Sequence, residues 1–174
     1  GGGGKGFAPE RFTTSHDASV AAAAPMIEAG LWYRPSYFPK TGERTWRQSC
    51  DREVYMVRNA VGVCDVSTLG KIDIQGQDAA ALLDFVYTNT FSSLKVGQVR
   101  YGLMLREDGH LLDDGTTARL GDDHFVMTTT TAAAGLVMRH LEFVLQVLRS
   151  DLNARVISVT EQWAQFAIAG PQSR

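Results

Sequence analysis

Read from Leu69 onward, the hydrophobic patterning gives strand, helix, three strands, helix and two strands. That order predicts an α+β fold: a ferredoxin-like, split βαβ antiparallel sheet with helices on one face and one extra hairpin strand. Two periodicities carry the prediction. Val99, Tyr101, Leu103 and Leu105 alternate with Arg100, Gly102, Met104 and Arg106 at strand period. Ala79, Leu82, Leu83 and Val86, and later Val137, Leu141, Val144 and Leu148, recur at helical spacing as inward stripes.

The elements before Leu69 are less regular. Gly1–Gly4 with Lys5 and Gly6 read as a linker, extended here to residue 15. Asp17 to Gly30 is Ala-rich and suits a short helix, with Pro25 at its first turn or breaking it. Leu31 to Trp46 reads as an aromatic loop folded onto the chain's own core. Ser49 is placed to cap a helix reaching about Val61, with Val54, Val57 and Val61 inward and Gly62 as its stop. These residues, 16–68, form an N-terminal arm and helix of a first lobe.

The second lobe spans 69–150. Ile72 and Ile74 alternate in its first strand, and Gln75-Gly76-Gln77 turns into the Ala79–Val86 helix. The central hairpin follows, and Gly121-Asp122-Asp123 then turns into a β-branched strand from His124 to Thr131. The last helix carries His140 beside its stripe as a packing or capping residue. Two strands, Arg155–Thr160 and Trp163–Ala169, return to the first lobe over 151–174. Strands ending at Ala169 are expected to lack sheet neighbours, so this chain should self-associate.

Composition sets the class. The 174 residues are 44% hydrophobic and 21% charged with a net charge of −2, as in an ordinary soluble domain. No basic footprint for nucleic acid or anionic lipid is present. No apolar run is expected to span a bilayer. Cys50 and Cys64 match neither a disulfide framework nor a metal pattern; they read as core thiols in a reducing compartment, which points to the cytoplasm.

Chemistry concentrates on the hairpin. Asp108-Gly109 makes its turn and Leu111–Leu120 its second strand. A two- or four-residue loop pairs Arg106 with Leu111 and Leu103 with Asp114, whereas a three-residue loop slips the pairing. The first register puts Tyr101 and Asp114 on one largely apolar inward face, about 5–8 Å apart at Cβ. An inward carboxylate is costly without a partner, so Asp114 needs one and Asp113, on the opposite face, does not. Asp114 is then either a site acid or an acid satisfied by backbone amides, Arg100 or Arg119. Asp108, Asp113, Asp114, Asp122 and Asp123 are split between two turns and two strand faces, so no metal site is expected. Zinc spacings, a P-loop, a nucleophile elbow and a dinucleotide fingerprint are absent from the sequence.

Four blocks carry a family resemblance: Cys64-Asp65-Val66-Ser67-Thr68-Leu69-Gly70-Lys71, Tyr87-Thr88-Asn89, Tyr101 to Gly109, and Asp113-Asp114-Gly115-Thr116. They resemble the folate-binding aminomethyltransferases, the family of the glycine cleavage T-protein. Thr68-Leu69 in place of His-Met, His124-Phe125 with Met127 to Thr131, and Ser158 to Ala164 with Ala169-Gly170-Pro171 resemble one branch of it, the C-terminal region of heterotetrameric sarcosine oxidase α subunits. The likeness runs from about Phe12 to Arg174.

The resemblance implies the N-terminal half of the family's folate-binding fold, with part of a second lobe. It implies tetrahydrofolate as ligand, Asp114 as the essential acid, Tyr101 as a folate-contacting tyrosine and Leu69 as a pocket residue. It further implies partner subunits of the oxidase, with FAD, FMN and NAD in the intact complex rather than in this chain. The activity implied is capture of a methylene iminium on tetrahydrofolate.

Overall fold

The computed structural model describes residues 11–174; the linker expected over 1–15 lies outside the described residues up to residue 10. The chain forms two compact units, one of residues up to Thr68 with Ala164–Arg174, the other of Leu69–Trp163.

The first unit begins with β1 (Arg11–Phe12), α1 (His16–Ala21), β2 (Met26–Ala29) and β3 (Trp32–Pro35). The helix is shorter than expected because Pro25 disfavours helical backbone at Ala24. The aromatic segment is a strand over Trp32–Pro35 and, as expected, irregular from residue 36 to residue 45. β2 and β3 pair antiparallel, Ala29 opposite Trp32, and Gly30 and Leu31 close the hairpin at φ 54° and 68°. Two consecutive left-handed residues match the twist that a two-residue hairpin needs. Trp32 is buried, in keeping with an arm folded onto its own core.

α2 (Trp46–Asn59) starts earlier than expected. Thr45, not Ser49, is its cap: the Thr45 side chain accepts from Gln48 N while the Gln48 side chain accepts from Thr45 N, a capping box. Ser49 is the buried residue of this helix, and its hydroxyl donates to Glu43 Oε2 at 2.6 Å. Val54, Val57 and Val61 are exposed, so the stripe is not a core face of this unit. β4 (Gly62–Asp65) follows.

Glu43 also accepts from Arg52 Nε at 2.5 Å. The Arg52 bond, then the Ser49 bond, hold the Glu43 carboxyl down at about 2. Because the folded value lies below the unfolded one, this stabilisation is fully present above the ordinary carboxylate range. It is lost as pH falls through that range toward about 2. Thermal melts of Glu43→Gln should lie below wild type at neutral pH and converge with it on acidification.

The second unit contains β5 (Gly70–Gln75), α3 (Ala79–Val86), β6 (Val99–Leu105), β7 (Leu111–Gly121), β8 (His124–Thr129), α4 (Ala134–Phe143) and β9 (Arg155–Ser158). Its sheet runs β6-β7-β8-β5-β9, antiparallel throughout. β5 lies between β8 and β9, which α4 connects; that is a split βαβ unit. β7 is the extra hairpin strand. Leu82, Leu83, Val137 and Leu141 from the helices pack with Ile72, Ile74, Met104, Phe125 and Met127, so both helices cover one face.

The stripe of α4 ends differently from expectation. A π turn over Val144–Leu148 continues the helix, with Arg149 N donating to Val144 O. The wider turn shifts the helical phase: Val144 and Leu145 pack on the core and Leu148 is exposed. Thr131–Leu148 has 18 residues and a mean hydropathy of 1.2, so, contrary to expectation, one helix among the described residues is by length and composition alone long and apolar enough to cross a membrane. Here its Val137, Leu141 and Val144 pack on the sheet.

Of the two last strands, β9 stays in the second unit, paired with β5. β10 (Phe166–Ala169) pairs antiparallel with β4 in the first unit, Ala167 opposite Cys64. Cys64 is exposed and Cys50 half-buried, so neither is a core thiol. Phe166 and Ile168 are exposed as well.

Candidate functional site

The β6–β7 hairpin closes through a three-residue loop: Arg106 N donates to His110 O at 2.8 Å and Gly109 N to Arg106 O at 2.9 Å. Gly109 has a φ of 82°, the left-handed residue that such a loop requires. The loop slips the pairing by one residue, and Leu105 faces Leu111. A bulge between Met104 and Leu105 reverses the slip, so that Met104 faces Asp113 and Leu103 faces Asp114. The expected pairing of Arg106 with Leu111 therefore fails while the register at Asp114 holds.

The buried face is the opposite of the one expected. Gly102, Met104, Asp113 and Thr117 point to the helices and are buried. Val99, Tyr101 and Leu103 are 60%, 53% and 39% exposed within the described chain. Gly102 belongs on the core side because the Tyr87 and Phe91 rings occupy its space, 2.8 and 2.9 Å from where a Cβ would stand.

Tyr101 and Asp114 lie together on the outward face, and the Tyr101 hydroxyl donates to Asp114 Oδ2. That bond pushes the Tyr101 phenol above its ordinary value. The two arginines considered as partners are engaged elsewhere. Arg100 Nη1 donates to Ser93 Oγ at 2.9 Å, and Arg119 donates to Leu94 O and Asp122 O, each at 2.7 Å. It is Asp113, only 5% exposed, that is satisfied by a backbone amide: its Oδ2 accepts from Thr130 N at 3.0 Å.

Leu69 is half-buried and immediately precedes Gly70, which pairs with Thr129. Strand alternation puts Leu69 on the same face and at the same end of the sheet as Asp114, two strands away, or about 10 Å. Asn89, named in the sequence only as part of a family block, shapes the site. Its Oδ1 accepts from Leu103 N at 3.0 Å, and Thr88 N donates to Leu103 O at 2.9 Å. Tyr87-Thr88-Asn89 thus covers the free edge of β6 opposite Asp114. Its signal was an Asn just after a helix end, beside an edge strand.

A cavity of about 590 Å³ lies on the other side of this unit, lined by Phe85, Leu105, His140 and Phe143 among others. Neither Tyr101 nor Asp114 lines it. Burial pushes His140 below its ordinary value, as for a neutral packing side chain. Among the described residues no group of three His, Cys, Asp or Glu side chains is placed to hold a metal. On the outward face Asp114 and the Tyr101 oxygen present hydrogen-bond acceptors beside the apolar surface of Val99 and Leu103.

Comparison with known proteins gives a consistent result. The family described as the GCVT N-terminal domain matches residues 15–174. The sarcosine oxidase subunit alpha of Rhizobium meliloti (strain 1021) is 58% identical over 168 residues, which cover 97% of this chain and 17% of that protein. The subunit of the same name from Corynebacterium sp. (strain U-96) is 46% identical, over 95% of this chain and 17% of its own length. An aminomethyltransferase of Thermotoga neapolitana is 30% identical over 93% of this chain and 41% of its own. The chain therefore spans less than half the length of these relatives. The crystal structure of the glycine cleavage system aminomethyltransferase T from Bartonella henselae shares the fold. It has a TM-score of 0.79 at 23% identity and matches 94% of this chain and 41% of its own. With a family match that begins at residue 15 and runs to residue 174, the chain belongs to the GCVT N-terminal domain family.

Proposed function

We propose that this chain is the folate-binding, one-carbon transfer part of a sarcosine oxidase α subunit. There, the methylene iminium from oxidative demethylation of sarcosine is captured as 5,10-methylenetetrahydrofolate. The observation that carries this reading is the Tyr101–Asp114 pair on an exposed, apolar-flanked strand face. The greater identity to sarcosine oxidase α subunits than to the aminomethyltransferase supports that branch of the family.

Tetrahydrofolate, when bound, supplies the amine nitrogens that accept the one-carbon unit. The chain's own residues do the rest. Asp114 orients those amines through its carboxylate and takes up the proton they release. Tyr101 holds Asp114 in one rotamer, and Leu69, Val99 and Leu103 keep water from the electrophile. Amine oxidation, with FAD, FMN and NAD, belongs to other parts of a cytoplasmic complex with further subunits; alone, this chain is expected to be inactive in turnover.

A second reading has an observation of its own. Tyr55 on α2, Val63 on β4 and Ile168 on β10 are each at least 60% exposed, which suits a contact surface. Anaerobic titration with tetrahydrofolate, followed by intrinsic fluorescence, separates the two. Saturable binding is expected for the wild type, weakened up to about tenfold in Tyr101→Phe by loss of one hydrogen bond. Absence of saturable binding would overturn the folate reading for this chain and leave the contact surface.

A further inference from the structure

We propose that Asp113 is a positioning residue for Asp114: its buried carboxylate replaces a ladder bond between β7 and β8 and so holds Asp114 opposite Leu103 and against Tyr101. In its functional consequence this rests on the reading of Asp114 as the acid of the folate site.

The backbone pairing of β7 with β8 runs from Gly121 to Thr117, which faces Met127, and goes no further. Beyond that point side chains take over. Thr128 Oγ1 accepts from Thr116 N and donates to Thr116 O, both at 2.9 Å. Three residues nearer the hairpin turn on β7, Asp113 Oδ2 accepts from Thr130 N at 3.0 Å. Gly115, between these two latches, sits so close to β8 that a Cβ would stand 2.2 Å from Thr128 O.

On its other side β7 remains in backbone register with β6 through Leu103 and Met104. Asp114 therefore occupies a strip of strand whose place is set by β6 on one side and by the Thr128 and Asp113 latches on the other. Burying a carboxylate on a core face is costly, and Asp113 makes no hydrogen bond with either Tyr101 or Asp114. Its charge adds a direct push on the Tyr101 phenol that is smaller than that of the Asp114 bond; the positioning effect is exerted through the backbone it anchors, one residue away.

The test follows the Tyr101 phenol in this chain by ¹³C-tyrosine NMR titration, with the signal assigned by its loss in Tyr101→Phe. Asp113→Asn removes the charge but keeps a carbonyl acceptor for Thr130 N; Asp113→Ala removes both. Tyr101 should keep most of its raised titration in Asp113→Asn, losing only the small direct push of the Asp113 charge, and fall further toward the ordinary value near 10 in Asp113→Ala. Equal falls in both variants would reduce Asp113 to a nearby charge and overturn the proposal. An unchanged titration in both would overturn it too.

Thr128→Val and Thr128→Ser make a parallel pair should Asp113→Ala fail to fold. Valine should lower the Tyr101 titration and serine restore it; no difference between them sinks the latch. Tetrahydrofolate titration of the same variants separates the two readings. Tyr101 shifts as expected, with no folate binding even to wild type, uphold the positioning role and remove the folate assignment.

Discussion

Asparagine in place of Asp114 is expected to lower folate-dependent capture of the one-carbon unit by about 10²-fold or more in the full-length protein, the range of a lost general acid–base group. Size and most hydrogen-bonding capacity are kept, and Asp114 is only half-buried, so the variant should fold. Amine oxidation should continue, and the uncaptured unit should appear as formaldehyde. The strand period alone would make Asp113→Asn the control, but Asp113 is buried and bonded to Thr130 N. A fair control is Asp123→Asn, in the exposed turn before β8. Formaldehyde and methylenetetrahydrofolate measured together decide the matter: wild-type capture by Asp114→Asn makes Asp114 a structural acid.

What the sequence revealed and what it concealed follow from the same physics. α3 was legible because Ala79, Leu82, Leu83 and Val86 all face the core, as their spacing requires. The strand alternation of Val99 to Leu105 was equally plain, yet its buried side was read the wrong way round. The outward residues Val99, Tyr101 and Leu103 are the apolar ones. Beside Met104, the inward set holds Gly102, Asp113 and Thr117; the Tyr87 and Phe91 rings cover Gly102 and the Thr130 amide satisfies Asp113. Period alone reports that two faces differ, not which is covered.

The stripe on α2 misled for a related reason. Val54, Val57 and Val61 keep helical spacing but are exposed in the first unit. The Tyr101–Asp114 pairing was legible despite the three-residue loop, because the slip and an unforeseen bulge are each one residue and cancel before Asp114. A one-residue error left uncompensated would have sent Asp114 to the core side and Asp113 outward.

Gly115→Ala should be the most destabilising single methyl in the hairpin, at roughly 3 kcal/mol, the upper end for overpacking a tight site. The cause is space. A Cβ there would meet Thr128 O at 2.2 Å and Thr128 C at 3.0 Å, both backbone atoms that no rotamer change can move. β7 must then retreat from β8, lengthening both the Thr116–Thr128 bonds and the Asp113–Thr130 bond. A fall in Tm of roughly 6–12 °C corresponds to that cost in a chain of this size. Gly135→Ala in α4, where a Cβ meets nothing within 4 Å, is the matched control and should be neutral or slightly stabilising. If Gly115→Ala melts with the wild type, β7 is free to shift against β8. The side-chain latches then no longer explain why Asp114 stands where Tyr101 can reach it.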